Sequence, residues 1–316
     1  MRRRFEKNYL KKRLGRQRHH EMIHFRGGVR VFWENMNYAF PILKLFLRTT
    51  GLMSTGLRQS LDYQLVHHSL PVRDLPSPFE GFRILHLSDL HIDGMIDHGR
   101  RFFDRLKTLP PYDLCVITGD FRFLTYGQTH EALVATRKMM EYIHCPQVLG
   151  ILGNHDCVSM VPHLERMGIR MLINESFYIQ KKDARLAVVG IDDAYFYETD
   201  DLDSAVEDVE AGVPKILLAH CLQNVPKAKQ YGFDAYLCGH THGGQLCLPG
   251  GRAFIRHLPG HLPEHYIGGP WQYQGMAGYT SRGVGSSCLT VRYHCPPEII
   301  IHTLKQKPVT EQTETL

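Results

Sequence analysis

Phe82-Arg83-Ile84-Leu85-His86-Leu87-Ser88-Asp89-Leu90-His91 is a short apolar run that breaks into an Asp-x-His triplet. The same event recurs along the chain. After a helical pattern over residues 101–109, Leu114-Cys115-Val116-Ile117 runs into Gly119-Asp120. After a second helical pattern over 130–142, Gln147-Val148-Leu149-Gly150-Ile151-Leu152 runs into Gly153-Asn154-His155-Asp156. Leu186-Ala187-Val188-Val189-Gly190-Ile191 is a further apolar run, and Lys215-Ile216-Leu217-Leu218-Ala219 is closed by His220. The last block is Gly239-His240-Thr241-His242. Continuous apolar strands separated by helices imply α/β sheets covered on both faces. The polar residues sit where the chain leaves each strand, which is where open α/β sheets bind ligands.

Together the five blocks offer two carboxylates, one amide oxygen and several imidazoles. Such a mixed nitrogen and oxygen set suits manganese, iron or zinc better than calcium or magnesium, which prefer oxygen alone. In an Asp-x-His or His-x-His triplet just beyond a strand, both side chains can turn to one centre. Glycine before Asp120, Asn154 and His240 frees the backbone for a sharp turn near an ion. A lone Asp-x-His or Gly-Asp is weak evidence, and a single histidine is more often a hydrogen-bonded structural residue. Five blocks, each closing an apolar run, carry the argument jointly.

In this order the blocks resemble the calcineurin-like metallophosphoesterases, whose pattern is D-x-H, G-D, G-N-H-[DE], a lone His and G-H-x-H. The resemblance covers about residues 82–303. Gly239-His240-Thr241-His242-Gly243-Gly244-Gln245 is similar to a branch of bacterial membrane-associated phosphoesterases that carry GHTHGGQ, as are Tyr279-Thr280-Ser281-Arg282-Gly283-Val284-Gly285 and Cys295-Pro296-Pro297-Glu298-Ile299. The resemblance implies a four-layer α/β/β/α sandwich with the metal site at the carboxyl ends of the strands. It implies two divalent ions per subunit, manganese first with iron or zinc as alternatives. Asp89, His91, Asp120 and His242 would hold one ion, and Asp120, Asn154, His220 and His240 the other. His155 resembles the family's histidine that is not a ligand and donates a proton to the leaving oxygen or steadies the phosphoryl group. The family often extends Gly-Asp to G-D-x-x-[DN]; Phe123 stands at that last position here, and Arg122 is a candidate phosphate fork in its place, or an ordinary surface arginine.

Such a centre hydrolyses a phosphodiester or pyrophosphate bond with an activated water, because two ions clamp the phosphoryl oxygens and acidify the nucleophile. No G-x-x-x-x-G-K-[ST] loop and no G-x-S-x-G elbow competes with this reading. A metal-dependent nuclease and a non-catalytic scaffold of the same fold are the alternatives. The seven ligand positions and His155 argue against the scaffold, and no nucleic-acid module follows Phe25, Phe32, Trp33 and Tyr38. The membrane-associated branch points instead to a lipid-linked substrate such as UDP-2,3-diacylglucosamine.

The 316 residues are 43% hydrophobic and 22% charged, enough for one large core plus an extension. Residues 1–30 hold eleven Lys or Arg against two Glu, a charge of +9, which leaves −4 on the remaining 286. This basic arm is either a solvated tail or a contact with something anionic. Residues 37–57 are apolar but interrupted by Lys44 and Arg48, with Leu43, Phe46 and Leu47 expected on the opposite face. That amphipathic segment lies on a membrane or packs on the body. Residues 1–70 are thereby the candidate contact with an anionic membrane surface, and nucleic acid is not an expected partner. Pro71, Pro76 and Pro78 place a boundary near 80, giving a helical extension over 1–80, a catalytic domain over 81–304 and a polar tail over 305–316. Eight cysteines without a Cys-x-x-Cys pair, and no leader pattern, suggest a reducing cytoplasmic setting, peripheral to the inner face of the membrane. The loops over 192–203 and 248–275 are expected to shape the substrate site or to serve only packing and solvation.

Overall fold

The computed structural model describes residues 5–20, 39–254 and 256–307. Three helices, α1 (Lys7–His20), α2 (Ala39–Thr49) and α3 (Leu52–Gln59), precede β1 (Gln64–Val72). Then come β2 (Arg83–Leu87), α4 (Arg100–Leu106), β3 (Leu114–Thr118), α5 (His130–Met140), β4 (Val148–Ile151), α6 (Val161–Arg166) and β5 (Ile169–Met171). The second half runs β6 (Glu175–Lys181), β7 (Ala184–Gly190), α7 (Leu202–Val206), β8 (Lys215–Leu218), α8 (Val225–Gln230), β9 (Ala235–Cys238), β10 (Gly269–Tyr273), β11 (Met276–Thr280) and β12 (Glu298–Gln306).

The strands form two six-stranded sheets, ordered β1-β12-β2-β3-β4-β5 and β10-β11-β9-β8-β7-β6. Within β3, Leu114 and Val116 enter the core between the sheets while Cys115 and Ile117 face the helices. Side chains alternate across a strand, so a strand covered on both faces must be apolar at every position. Phe102, Phe103 and Leu106 of α4, Ala132 and Met139 of α5, and Val161 and Leu164 of α6 cover the first sheet. Leu202 and Ala205 of α7 with Val225 and Ala228 of α8 cover the second. The expected four-layer α/β/β/α sandwich is the observed one. Strands β2 to β5 are parallel, as are β7, β8, β9 and β11, so the ends of β2, β3, β4, β8 and β9 deliver the five blocks to one side.

Residues 64–72, assigned from sequence to the helical extension, are a strand of the first sheet. β1 pairs in parallel with β12 from Gln64↔Glu298 to Val72↔Gln306 and buries Leu70 and Val72 between the sheets. Pro71 pointed to a connection, but an edge strand tolerates the missing N–H. β12 likewise carries the sheet to Gln306, past the expected start of the tail. Residues 1–4 and 21–30 of the basic arm, residues 31–38 that follow it, with Phe25, Phe32, Trp33 and Tyr38 among these, and 308–316 of the tail lie outside the described residues.

The described part of the basic arm is neither a solvated tail nor free for an anionic contact along its whole length: Phe5, just before α1, and Leu10 of α1 join the core on the helix side of the first sheet. On α2, Leu43 and Leu47 pack with Leu246, Leu289, Val291 and Tyr293. Phe46, expected on the same face, is 55% exposed. Successive helical residues are about 100° apart, so Phe46 cannot share the narrow stripe centred on Leu47. Among the described residues no helix is long and apolar enough to cross a membrane.

Candidate metal centre

The turns that leave the strands are left-handed at the residues of interest. Asp89, His91, Asp120, His240 and His242 have φ of 49°, 39°, 55°, 70° and 52°. Non-glycine residues adopt this region at a cost, and it clusters at functional sites. Backbone bonds lock the turns together: Asp89 N–H donates to Gly119 O at 3.0 Å, His91 N–H to Asp120 O at 2.9 Å and Gly239 N–H to His220 O at 3.0 Å. Gly119, with φ of 90°, supplies the sharp turn expected of it. Gly239 is required for a different reason, since a Cβ there would lie 1.9 Å from Ser88 Oγ and 2.1 Å from Asp89 Oδ2.

Asp89, His91, Asp120 and His242 each present one ligand atom, all within 4.8 Å of one another, and all four are buried. His91 Nε2 is 3.2 Å from His242 Nε2 and 3.5 Å from Asp120 Oδ2, and His242 Nε2 is 3.4 Å from Asp89 Oδ1. The other expected residues converge beside them. Asn154 Oδ1 is 2.9 Å from His220 Nε2 and 3.0 Å from His240 Nδ1, and Asp120 Oδ2 is 3.4 Å from His220 Nε2. His91 Nδ1 faces the Arg122 carbonyl at 2.8 Å. A carbonyl only accepts, so Nδ1 carries the hydrogen and a neutral ring turns a lone pair at Nε2 towards the carboxylate. Lone pairs facing lone pairs call for a cation between them, and the donor types fit a transition-metal ion.

Electrostatics favours the same conclusion. Burial would raise Asp120, but the imidazoles of His220, His155 and His91 hold it well below the usual carboxylate range. Burial raises Asp89 despite the pull of His220. Burial pushes His220 down, yet Asp120, followed by Asp89 and Asp193, pushes it up to about 10. His240 and His242 are driven well below the ordinary imidazole value, by burial first and then by a neighbouring histidine. The carboxylates draw positive charge into a place where burial penalises charge, a demand that a coordinated divalent ion meets.

His155 lies at the edge of both sets. Its Nε2 is 3.9 Å from Asp120 Oδ2 and its Nδ1 is 2.7 Å from the Phe123 carbonyl. Burial pushes its pKa down to about 3, with Asp120 opposing. Arg122 is not a phosphate fork. It is buried, and its guanidinium donates to the carbonyls of His155, Gly127 and Thr125, so it braces the His155 backbone from behind.

Sequence reasoning left two supporting residues without a role. Asp156 accepts N–H bonds from Asp120 at 2.8 Å, Phe121 at 2.9 Å and Gly153 at 2.9 Å, tying two ligand-bearing turns together. Its place in the Gly-Asn-His-Asp block was the available signal. Arg292 is fully buried and donates to the carbonyls of Arg282 at 2.7 Å and Cys295 at 3.2 Å, with Nη2 3.3 Å from His242 Nδ1. No sequence pattern marks it. Both expected shaping loops reach the rim: the Tyr195 ring is 5.2 Å and the His257 ring 6.0 Å from that of His240.

Residues 82–244 match the family model for calcineurin-like phosphoesterase. The chain is 25% identical to the uncharacterized metallophosphoesterase YkoQ of Bacillus subtilis, over 78% of this chain and 92% of that protein. It is 27% identical to the phosphodiesterase YaeI of Escherichia coli, over 75% of this chain and 86% of that protein. It is 23% identical to the UDP-2,3-diacylglucosamine pyrophosphatase LpxG of Chlamydia trachomatis, over 74% and 88%.

Proposed function

Because this chain belongs to the calcineurin-like phosphoesterases, and is thus a metal-dependent phosphoester hydrolase, we propose that it cleaves a phosphodiester or pyrophosphate bond of a lipid-linked substrate at a centre of two divalent ions. Asp89, His91, Asp120 and His242 would hold one ion, and Asp120, Asn154, His220 and His240 the other. The observation that carries this reading is the position of one oxygen: Asp120 Oδ2 lies 3.5 Å from His91 Nε2 and 3.4 Å from His220 Nε2, so a single carboxylate faces both ligand sets.

Divalent ions there, manganese first and iron or zinc otherwise, supply Lewis acidity that withdraws charge from the phosphoryl oxygens and acidifies the attacking water. The chain fixes the rest. His91 and His220 are oriented by the carbonyls of Arg122 and Thr118, both at 2.8 Å, and Asp89 by the N–H of His240 and the Ser88 hydroxyl. With Nδ1–H given to Phe123 O, His155 turns Nε2 towards the site; it would donate to a phosphoryl oxygen or to the leaving oxygen only as the imidazolium, with a second proton on Nε2.

Two observations support a lipid-linked substrate. One relative is a UDP-2,3-diacylglucosamine pyrophosphatase. The other is an apolar face beside the site: α2 exposes Ile42 (73%), Leu45 (62%) and Phe46, and the loop after His242 exposes Leu248 and Phe254 (75%). Leu246 packs in the same cluster as Leu43 and Leu47, and the Cys247↔Ala253 bridge folds Leu248 and Phe254 back next to it. Every charged residue over 39–61 and 245–263 is basic, namely Lys44, Arg48, Arg58, Arg252 and Arg256. An apolar face with these cations in its segments, Arg256 among them paired with Glu264, is compatible with an anionic bilayer.

The test is a screen of metal-free protein reloaded with one ion at a time, assayed on UDP-2,3-diacylglucosamine, bis-p-nitrophenyl phosphate and single-stranded DNA. Hydrolysis of the lipid-linked pyrophosphate is expected; turnover of DNA alone would make the chain a nuclease, and turnover of none would leave a scaffold. For the membrane face, Ile42→Ser/Phe46→Ser should abolish co-sedimentation with phosphatidylglycerol vesicles while the melting temperature is kept. Undiminished binding refutes that assignment.

A further inference from the structure

The N-terminal helix reads in sequence as a charged arm, either solvated or in contact with something anionic, yet one of its arginines is among the most deeply buried side chains of the described residues. Arg13 is fully buried on α1, while Lys11, Lys12 and Arg18 of the same helix are exposed. Its Nε donates to Asp192 Oδ2 at 2.9 Å, its Nη2 donates to the Asp156 carbonyl at 3.0 Å, and its Cζ lies 3.3 Å from the centre of the Tyr197 ring. Tyr9, one turn earlier, donates to the same Asp192 oxygen at 2.7 Å, and Thr199 Oγ1 donates to it at 2.6 Å. Burying a guanidinium and a carboxylate together costs desolvation that their mutual bond must offset, so removing one partner leaves the other buried and uncompensated.

The two residues that Arg13 joins belong to different sheets. Asp156 follows β4 of the first sheet, and its carboxylate pins the N–H groups of Asp120, on the turn after β3, and of Gly153, at the start of the turn that presents Asn154. Asp192 follows β7 of the second sheet, next to Asp193, whose carboxylate accepts the N–H groups of Phe196 and Tyr197. The set formed by Asn154, His220 and His240 spans the same gap, with Asn154 contributed by the first sheet and both histidines by the second. One planar group therefore ties the two halves of that set from outside.

We propose that α1 is a strap across the carboxyl ends of the two sheets, and that Arg13 is a positioning residue which sets the separation of Asn154 from His220 and His240. The inference rests on the two-ion reading above. It assigns a role in metal binding to a segment that lies far upstream of residue 82, where the family match begins. Residues that orient metal ligands from behind typically change metal affinity by about 10–100-fold when altered. The effect of losing Arg13 should fall mainly on the ion held by Asn154, which lies two residues from the Asp156 carbonyl, and less on the ion held by Asp89, His91, Asp120 and His242, which depends on Asp156 only through Asp120.

The experiment is titration of Mn²⁺ into metal-free full-length protein, wild type and Arg13→Gln, followed by calorimetry and elemental analysis, with melting curves to show that both are folded. Two ions are expected on the wild type. On Arg13→Gln one site should weaken about tenfold or more and the other by clearly less. If Arg13→Gln does not fold, Arg13→Lys carries the same test, because it keeps a cation for Asp192 but lacks the second prong that reaches the Asp156 carbonyl; the same unequal weakening is expected. A folded variant that binds two ions as tightly as wild type, with only a lower melting temperature, overturns the proposal and leaves α1 a packing element. Equal weakening of both sites overturns it too, since that marks general loosening. Fewer than two ions on the wild type refutes the two-ion reading and this inference with it, so the two failures are told apart.

Discussion

One methyl group added at Gly239 should dismantle the metal centre while leaving the protein folded. The Cβ of Gly239→Ala would sit 1.9 Å from Ser88 Oγ and 2.1 Å from Asp89 Oδ2. Ser88 can rotate away at the expense of its 2.6 Å bond to Asp89. Asp89 has no such freedom, because its two oxygens are held by His240 N–H at 3.0 and 3.1 Å in a fully buried position. To regain ordinary contact at 3.4 Å, Oδ2 must retreat by about 1.3 Å relative to the Gly239 turn. Metal–ligand distances tolerate only about 0.2 Å, so the shift exceeds the tolerance several-fold. Misplacement by about 1 Å commonly costs about 10²-fold in rate. Position 239 has no left-handed backbone, so alanine brings overpacking alone, about 1–3 kcal/mol. The assay is elemental analysis after dialysis, together with kcat/KM on bis-p-nitrophenyl phosphate and a melting curve. Adding Ser88→Gly removes the nearer clash but not the Asp89 one, so it should restore stability without restoring metal. Wild-type metal content and activity in Gly239→Ala would show that the turn can yield and that the close approach is incidental.

Asp120→Asn should lower occupancy of both ions and abolish hydrolysis, because its Oδ2 faces both ligand sets; two tightly held ions in that variant would sink the bridging assignment. His155→Ala should keep the metal content and lose roughly 10²–10⁴ in kcat on an alkyl diester, but far less on bis-p-nitrophenyl phosphate, whose leaving group departs without a proton. Equal losses on both substrates would assign His155 to the phosphoryl oxygens instead. The chain His68–His302–His86–Thr118, buried from His302 inward, should make the fold acid-sensitive. Burial pushes His86 down to about 3 against an ordinary 6.5, so the unfolded chain binds the extra proton and stability falls as pH drops from about 6.5 towards 3. Its share is roughly 2 kcal/mol by pH 5. His86→Gln should flatten the dependence of melting temperature on pH across that window, and an unchanged slope would mean that the chain is not the source.

The strand ends were legible because two local signals coincide there. A strand buried on both faces needs an unbroken apolar run, and a ligand turn needs polar residues immediately after it, so Ile84 to Leu87 before Asp89 and Leu114 to Ile117 before Asp120 announce both strand and site. The histidine and carboxylate blocks carry their chemistry in short spacing, and the tertiary structure needed only to bring them to one side. What spacing cannot state is the partner of a side chain distant in sequence. The Arg13–Asp192 pair joins residues 179 apart, and the direction of Arg122, inward to three carbonyls and away from substrate, depends on a loop that closes over it. β1 escaped notice because an edge strand needs only half a buried pattern and tolerates Pro71, so its identity lies in its pairing with β12 more than 200 residues later. The charge of the N-terminal helix was plain from the sequence, but which of its cations would be buried was decided by where the two sheets bring a buried carboxylate and a carbonyl within reach of one guanidinium, and only the folded chain brings those together.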